Sequence, residues 1–187
     1  GGETKAKDKF AEVNQAYEIL GDAEKRAQFD RGEIDGDGKP AGPAILWTDG
    51  RAGDIVDGWV ADGSITRQFD VSGTGPYAGT SSAILRWRQD NQADRLEGAT
   101  NLWCKDWIEY NLTGDASTDP SDASLSGIDV ASRQFSDKVF EAFGINEQTR
   151  GVLPPLRRPT EQCGTVTRHA AGVTGLREGT PVFKGQM

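Results

Sequence analysis

The residue types able to do chemistry are few, and their spacing excludes more than it supports. The 187-residue chain has one histidine, His169, and two cysteines, Cys104 and Cys163, far apart and in no metal-type spacing. A zinc site needs three or four such ligands, so none is expected; the cysteines read as two reduced thiols in a cytoplasmic protein. The carboxylates stand at helix-cap and turn spacings. Asp106 and Glu109 lie three apart, and residues 117–124 read STDPSDAS, alternating hydroxyls with carboxylates. That pattern suits a turn network as well as a cleft wall. Asp49 and Arg51 flank a turn and can pair with each other, or Asp49 can cap the following helix. Tyr77 sits in a Gly/Pro-rich turn, SGTGPYAG, where a side chain is free to reach a ligand.

The elements that must position these residues follow from periodicity. Phe10, Val13, Tyr17 and Leu20 share one face of a helix over about residues 5–20, and Asp22 can cap a second helix through Arg31. Residues 44–47 (AILW) read as a short buried strand. Ala52, Ile55, Val56, Trp59 and Val60 form an amphipathic helix stripe that Gly63 ends. A helix over about residues 80–90 buries Ile84 and Trp87. A strand is expected at 101–104, followed by a helix capped by Asp106 and closed by Gly114. Ser136 caps a short helix bearing Val139, Phe140 and Phe143. One more helix is read over 164–175, and a final strand begins at Thr180. Trp59, Trp87, Trp103 and Trp107 are assigned to the core.

Net charge −8 disfavours nucleic acid and anionic lipid, and there is no apolar run long enough to span a bilayer. No basic n-region precedes an apolar stretch, so no secretory signal is read.

Two resemblances organise the chain. Residues 9–40, KFAEVNQAYEILGDAEKRAQFDRGEIDGDGKP, resemble the last two helices of a J-domain co-chaperone, with Tyr17, Leu20, Lys25, Arg26, Phe29 and Asp30 at the pattern positions. The His-Pro-Asp loop that such domains use on an Hsp70 is absent from the sequence, so an Hsp70 contact is not expected. The stretch 43–187 resembles the first lobe of the FGGY carbohydrate kinase family in five ordered blocks: AILWTDGR, GPYAGTSSAILRW, CKDWIEYNLTG with STDPSDAS, GVLPPL, and GLREGTPVFKG. The implied architecture is α/β, a partial ribonuclease-H-like (actin-like ATPase) kinase lobe at 43–187, preceded by two J-domain-like helices at 1–40.

The kinase resemblance implies a fragment of an ATP-dependent kinase that phosphorylates a hydroxyl of a small polyol or ketopentose. The substrate-binding residues it implies are Trp47, which matches the family aromatic beside the polyol, and Tyr77, which matches a tyrosine donating its hydroxyl to substrate. The alternative for Trp47 is a core tryptophan at a strand end. Asp49, Arg51, Asp106, Thr118, Asp119, Ser121 and Asp122 are assigned to structure. The family uses ATP and magnesium, a G-x-D-x-G-T turn and, after the segment resembled by GTPVFKG, an Asp that accepts the hydroxyl proton. None of these motifs occurs here; without a positioned base proton removal loses roughly 10²–10⁴ in rate. The chain alone is therefore expected to hold no catalytic or metal-ligating residue, to bind ATP and magnesium poorly, and to transfer no phosphoryl group. Two other readings remain: a binding module derived from a J-domain co-chaperone, and a gene fusion without function.

Overall fold

The computed structural model describes residues 33–34 and 40–185. The two J-domain-like helices expected before residue 32 lie outside the described residues. In chain order the elements are β1 (Glu33–Ile34), β2 (Pro40–Gly42), α1 (Gly53–Ala61), α2 (Ser64–Ser72), α3 (Ser81–Asn91), a 3-10 turn (Ala93–Leu96), β3 (Thr100–Asn101), α4 (Cys104–Thr113), a second 3-10 turn (Asp122–Ser126), β4 (Ile128–Asp129), β5 (Gln134–Phe135), α5 (Asp137–Ala142), α6 (Glu147–Arg150), β6 (Gln162–Thr165), α7 (Arg168–Thr174) and β7 (Pro181–Phe183). Among the described residues the fold is α/β, with three small antiparallel sheets: β2-β1-β3, β4-β5 and β6-β7. Among the described residues no helix is long and apolar enough to cross a membrane.

The main core forms where α1, α3 and α5 meet. Trp59 of α1, Ala83 and Ile84 of α3, and Val139 and Phe140 of α5 are buried together with Ala52, Phe143 and Ile145. Each large side chain so buried contributes roughly 1.5–3 kcal/mol by leaving water. Trp59 stacks on Phe143 with ring centroids 4.2 Å apart. Phe140 presses on the backbone at Gly127, where φ is 113° and a Cβ would lie 2.6 Å from the ring, so only glycine fits that corner. Ile55, Val56 and Trp87 line the same core from its margin.

Several expectations are corrected. Residues 44–47 form no strand: Leu46 is 61% and Trp47 73% exposed, and the segment leads into a turn closed by the Asp49 N–H donating to the Leu46 carbonyl at 2.9 Å. Gly63 ends α1, with a left-handed φ of 76°, but α2 starts on the next residue, where no helix is expected from sequence. Its buried face is polar, Ser64, Gln68 and Ser72, so apolar periodicity carried no signal. The strand expected at 101–104 is confined to Thr100–Asn101, and α4 begins at Cys104. Asp106 is therefore the third residue of α4 rather than its cap, and its carboxylate reaches back to accept from the Trp103 N–H at 3.4 Å. The helix read over 164–175 is β6 followed by the shorter α7, where Thr167 caps by accepting from the Ala170 N–H. Of the tryptophans assigned to the core, Trp59 is fully buried, while Trp87, Trp103 and Trp107 are half-buried. The cysteines are unbridged, Cys104 exposed and Cys163 buried.

Candidate functional site

Two constellations stand out, one exposed and aromatic, one buried and ionic. The aromatic one is built from two turns. Trp47 begins the first, which Asp49 and Arg51 hold closed: the Arg51 guanidinium donates to both Asp49 carboxylate oxygens at 2.9 and 2.8 Å, and the Arg51 backbone N–H donates to the same carboxylate at 2.9 Å. The pairing expected from sequence is thus present, while the cap of α1 falls at Ala52 without a side-chain bond. The second turn carries Tyr77, 44% exposed, and ends at Thr80, whose N–H and hydroxyl both donate to the Tyr77 carbonyl at 2.9 and 2.7 Å. The turns touch. A Cβ on Gly79 would lie 1.9 Å from the Trp47 carbonyl oxygen, so the two backbones meet at a contact no side chain could occupy. Both aromatics expected to face substrate therefore sit on adjoining turns with their rings open to solvent.

The ionic constellation joins α4, the 115–122 segment and β7. Lys184, at the end of β7, is fully buried, and its ammonium lies 2.8 Å from Asp106, 2.5 Å from Glu109 and 2.5 Å from the Ser117 carbonyl. Lys105 lies 2.9 Å from Asp106, 2.9 Å from Asp119 and 3.3 Å from Asp122. Arg157 grips Asp115 with two nitrogens and Glu161 with a third. A parallel bridge of Thr118 to Leu156, flanked by Arg157 N–H to Thr118 carbonyl at 2.8 Å, ties GVLPPL to STDPSDAS. Lys105 and Lys184 were not singled out by sequence; the only local signal was the Lys105–Glu109 spacing of four on one helix face.

These contacts set protonation. Burial pushes the Asp119 carboxyl up, but hydrogen bonds from Ser121 and Lys105 outweigh it and hold it below the usual range. Asp115 is likewise lowered, with Arg157 and Ser117 overcoming burial. Burial would lower the Lys105 pKa, yet its bonds to Asp106 and Asp119 leave it above that of an ordinary lysine. Asp122 is shifted up, by burial first and then by its acidic neighbours, against the pull of Lys105.

The sign follows. A carboxyl with a lowered folded pKa contributes stability above its unfolded value of about 4, and loses it as pH falls through the folded pKa. Asp119→Asn is therefore expected to destabilise at pH 7, with the gap to wild type closing below about pH 4. Asp122, shifted up, opposes folding above its unfolded pKa, so Asp122→Asn is expected to be neutral or stabilising at pH 7. Urea unfolding of both variants at pH 7 and pH 3 checks this; equal losses at both pH values would refute it.

Asp106, Asp119 and Asp122 bring ligand oxygens within 4.8 Å of one another, a spacing that suits a divalent cation. The Lys105 ammonium already sits among them, so the trio does not fit the magnesium that the family resemblance implies. Asp106 is held by Lys105 and Lys184, and Asp119 by Lys105 and the Ser121 N–H.

Comparison with known proteins agrees with this architecture. Residues 7–187 match the family described as FGGY family of carbohydrate kinases, N-terminal domain. The chain is 35% identical over 150 residues to erythritol kinase of Brucella abortus, covering 80% of this chain and 29% of that protein. It is 30% identical over 154 residues to L-xylulose/3-keto-L-gulonate kinase of Escherichia coli, covering 81% and 31%. The solved structure of xylulose kinase from Rhodospirillum rubrum superposes with a TM-score of 0.70 at 28% identity, over 82% of this chain and 32% of that one. The chain thus spans about 30% of the length of the relatives it matches. It belongs to the FGGY family of carbohydrate kinases, within the family's N-terminal domain.

Proposed function

We propose that this chain forms the sugar-facing part of an ATP-dependent carbohydrate kinase whose substrate is a small polyol or ketopentose, with Trp47 and Tyr77 against the substrate. The observation that carries the reading is the contact of the two turns at Gly79 and the Trp47 carbonyl, with Trp47 and Tyr77 both exposed to solvent. A tryptophan 73% exposed is unusual, because so large an apolar surface is ordinarily covered. An indole face can cover sugar C–H groups while its N–H donates to a hydroxyl, and a tyrosine hydroxyl both donates and accepts. The relatives named for erythritol and L-xylulose support the substrate class.

In the whole enzyme the reaction would move the γ-phosphoryl group of ATP to a substrate hydroxyl, chemistry in which positioning and charge stabilisation do most of the work. The share of this chain is to hold and orient the sugar. Residues 1–40 we read as a J-domain-like appendage, on Tyr17, Leu20, Lys25, Arg26, Phe29 and Asp30 alone; the family match, starting at residue 7, also takes in most of this stretch.

Titration with erythritol, glycerol and L-xylulose, followed by saturation-transfer NMR, tests the reading. Trp47→Ala is expected to weaken binding about tenfold, corresponding to ~1.4 kcal/mol of lost contact. Tyr77→Phe is expected to weaken it by roughly 2- to 12-fold, the value of one neutral hydrogen bond. Binding unchanged in both variants would remove the proposal.

A further inference from the structure

Arg51 does more than close its own turn. Its guanidinium carbon lies 4.9 Å from the centroid of the Trp87 ring, on the helix that follows the Tyr77 turn. The same guanidinium holds the Asp49 carboxylate through two nitrogens. One cation therefore ties the Trp47 turn to α3: it is forked onto the turn's carboxylate and lies over the helix's indole. At the other end of α3 the turns meet again, where Gly79 lies against the Trp47 carbonyl without room for a Cβ. Trp47 has little side-chain packing of its own, at 73% exposure, so its place relative to Tyr77 depends on its backbone, which these two contacts help to hold, together with Ile45 and Ala52 in the core on either side.

We propose that Arg51 and Gly79 are positioning residues that set the spacing between Trp47 and Tyr77, and through it the affinity for polyol. The inference rests on the sugar-facing reading of those two aromatics. The chemistry accounts for both residue types. Lysine keeps the charge of Arg51 but can neither fork onto both carboxylate oxygens nor lie flat on an indole. Alanine at 79 meets backbone, not a flexible side chain, so the Trp47 turn must move away. Misplacing a contact group by about 1 Å is enough to lose much of its contribution, since a gap of 0.5–1 Å already forfeits a quarter to a half of the dispersion well.

The experiment compares wild type, Trp47→Ala, Arg51→Lys and Gly79→Ala by titration with erythritol and L-xylulose, and by the indole N–H cross-peaks of a ¹⁵N-labelled protein. Arg51→Lys is expected to raise Kd several-fold and Gly79→Ala about tenfold. Both should move the Trp47 indole cross-peak while leaving that of Trp59, buried against Phe143, in place. A general loss of structure would move both peaks. Should Gly79→Ala not fold, Arg51→Lys decides alone. If Trp47→Ala loses binding while Arg51→Lys and Gly79→Ala keep the wild-type Kd and an unmoved Trp47 peak, the positioning role is overturned and the sugar site stands. If wild type takes up neither ligand, or Trp47→Ala binds as wild type does, the sugar reading falls and this inference falls with it.

Discussion

Lys184→Met is expected to destabilise the fold by about 3–5 kcal/mol, the cost of breaking a buried ion pair from one side. The ammonium of Lys184 has three protons and three acceptors, Asp106, Glu109 and the Ser117 carbonyl. Methionine fills similar space but leaves two carboxylates that water reaches poorly, Asp106 fully buried and Glu109 7% exposed. Since domains are typically stable by only 5–15 kcal/mol, this is a large share of the total. The urea midpoint measures it. Adding Glu109→Gln to Lys184→Met should recover part of the loss, because it removes one of the two carboxylates then left to share the Lys105 ammonium. Lys184→Arg should not substitute, since the larger planar fork needs a different cavity. A loss below about 1 kcal/mol in Lys184→Met would show that the ammonium is not the centre of the network.

Trp59→Ala should cost a comparable amount, about 3–5 kcal/mol, through a cavity rather than a charge. The Trp59 ring stacks on Phe143 and faces Ala83, Ile84, Val139 and Phe140 across the junction of α1, α3 and α5. Rigid close-packed neighbours collapse only partly into the void. For a chain of this size the loss corresponds to a melting midpoint lower by roughly 6–20 °C. Trp59→Phe keeps a ring on Phe143 and should lose less than half as much. Because α1 leaves the Trp47 turn and α3 leaves the Tyr77 turn, Trp59→Ala should also weaken polyol binding indirectly. An alanine variant melting within 2 °C of wild type would mean that this junction is not the core of the domain.

The two effects differ in how visible they were beforehand. Trp59 was legible, since it falls on the i, i+3, i+4, i+7 stripe of Ala52, Ile55, Val56 and Trp59, and an amphipathic stripe has few ways to be satisfied except by burial. Lys184 was not. A lysine at a strand end reads the same whether water or three acceptors surround it, and its partners lie 67 to 78 positions earlier in the chain.

The amino-acid sequence determined the helices with apolar stripes, the turns marked by Gly and Pro, the Asp49–Arg51 pair, and the ordered blocks that mark the kinase family, because each depends on residues close along the chain. Tertiary structure decided the rest. It set Trp47 in solvent instead of in a strand, brought Gly79 against its carbonyl, placed Arg51 over Trp87, made a helix of the polar-faced 64–72 segment, and set a buried Lys184 and a half-buried Lys105 among carboxylates. Which surface a residue meets depends on elements far away in sequence, and local periodicity holds no record of them.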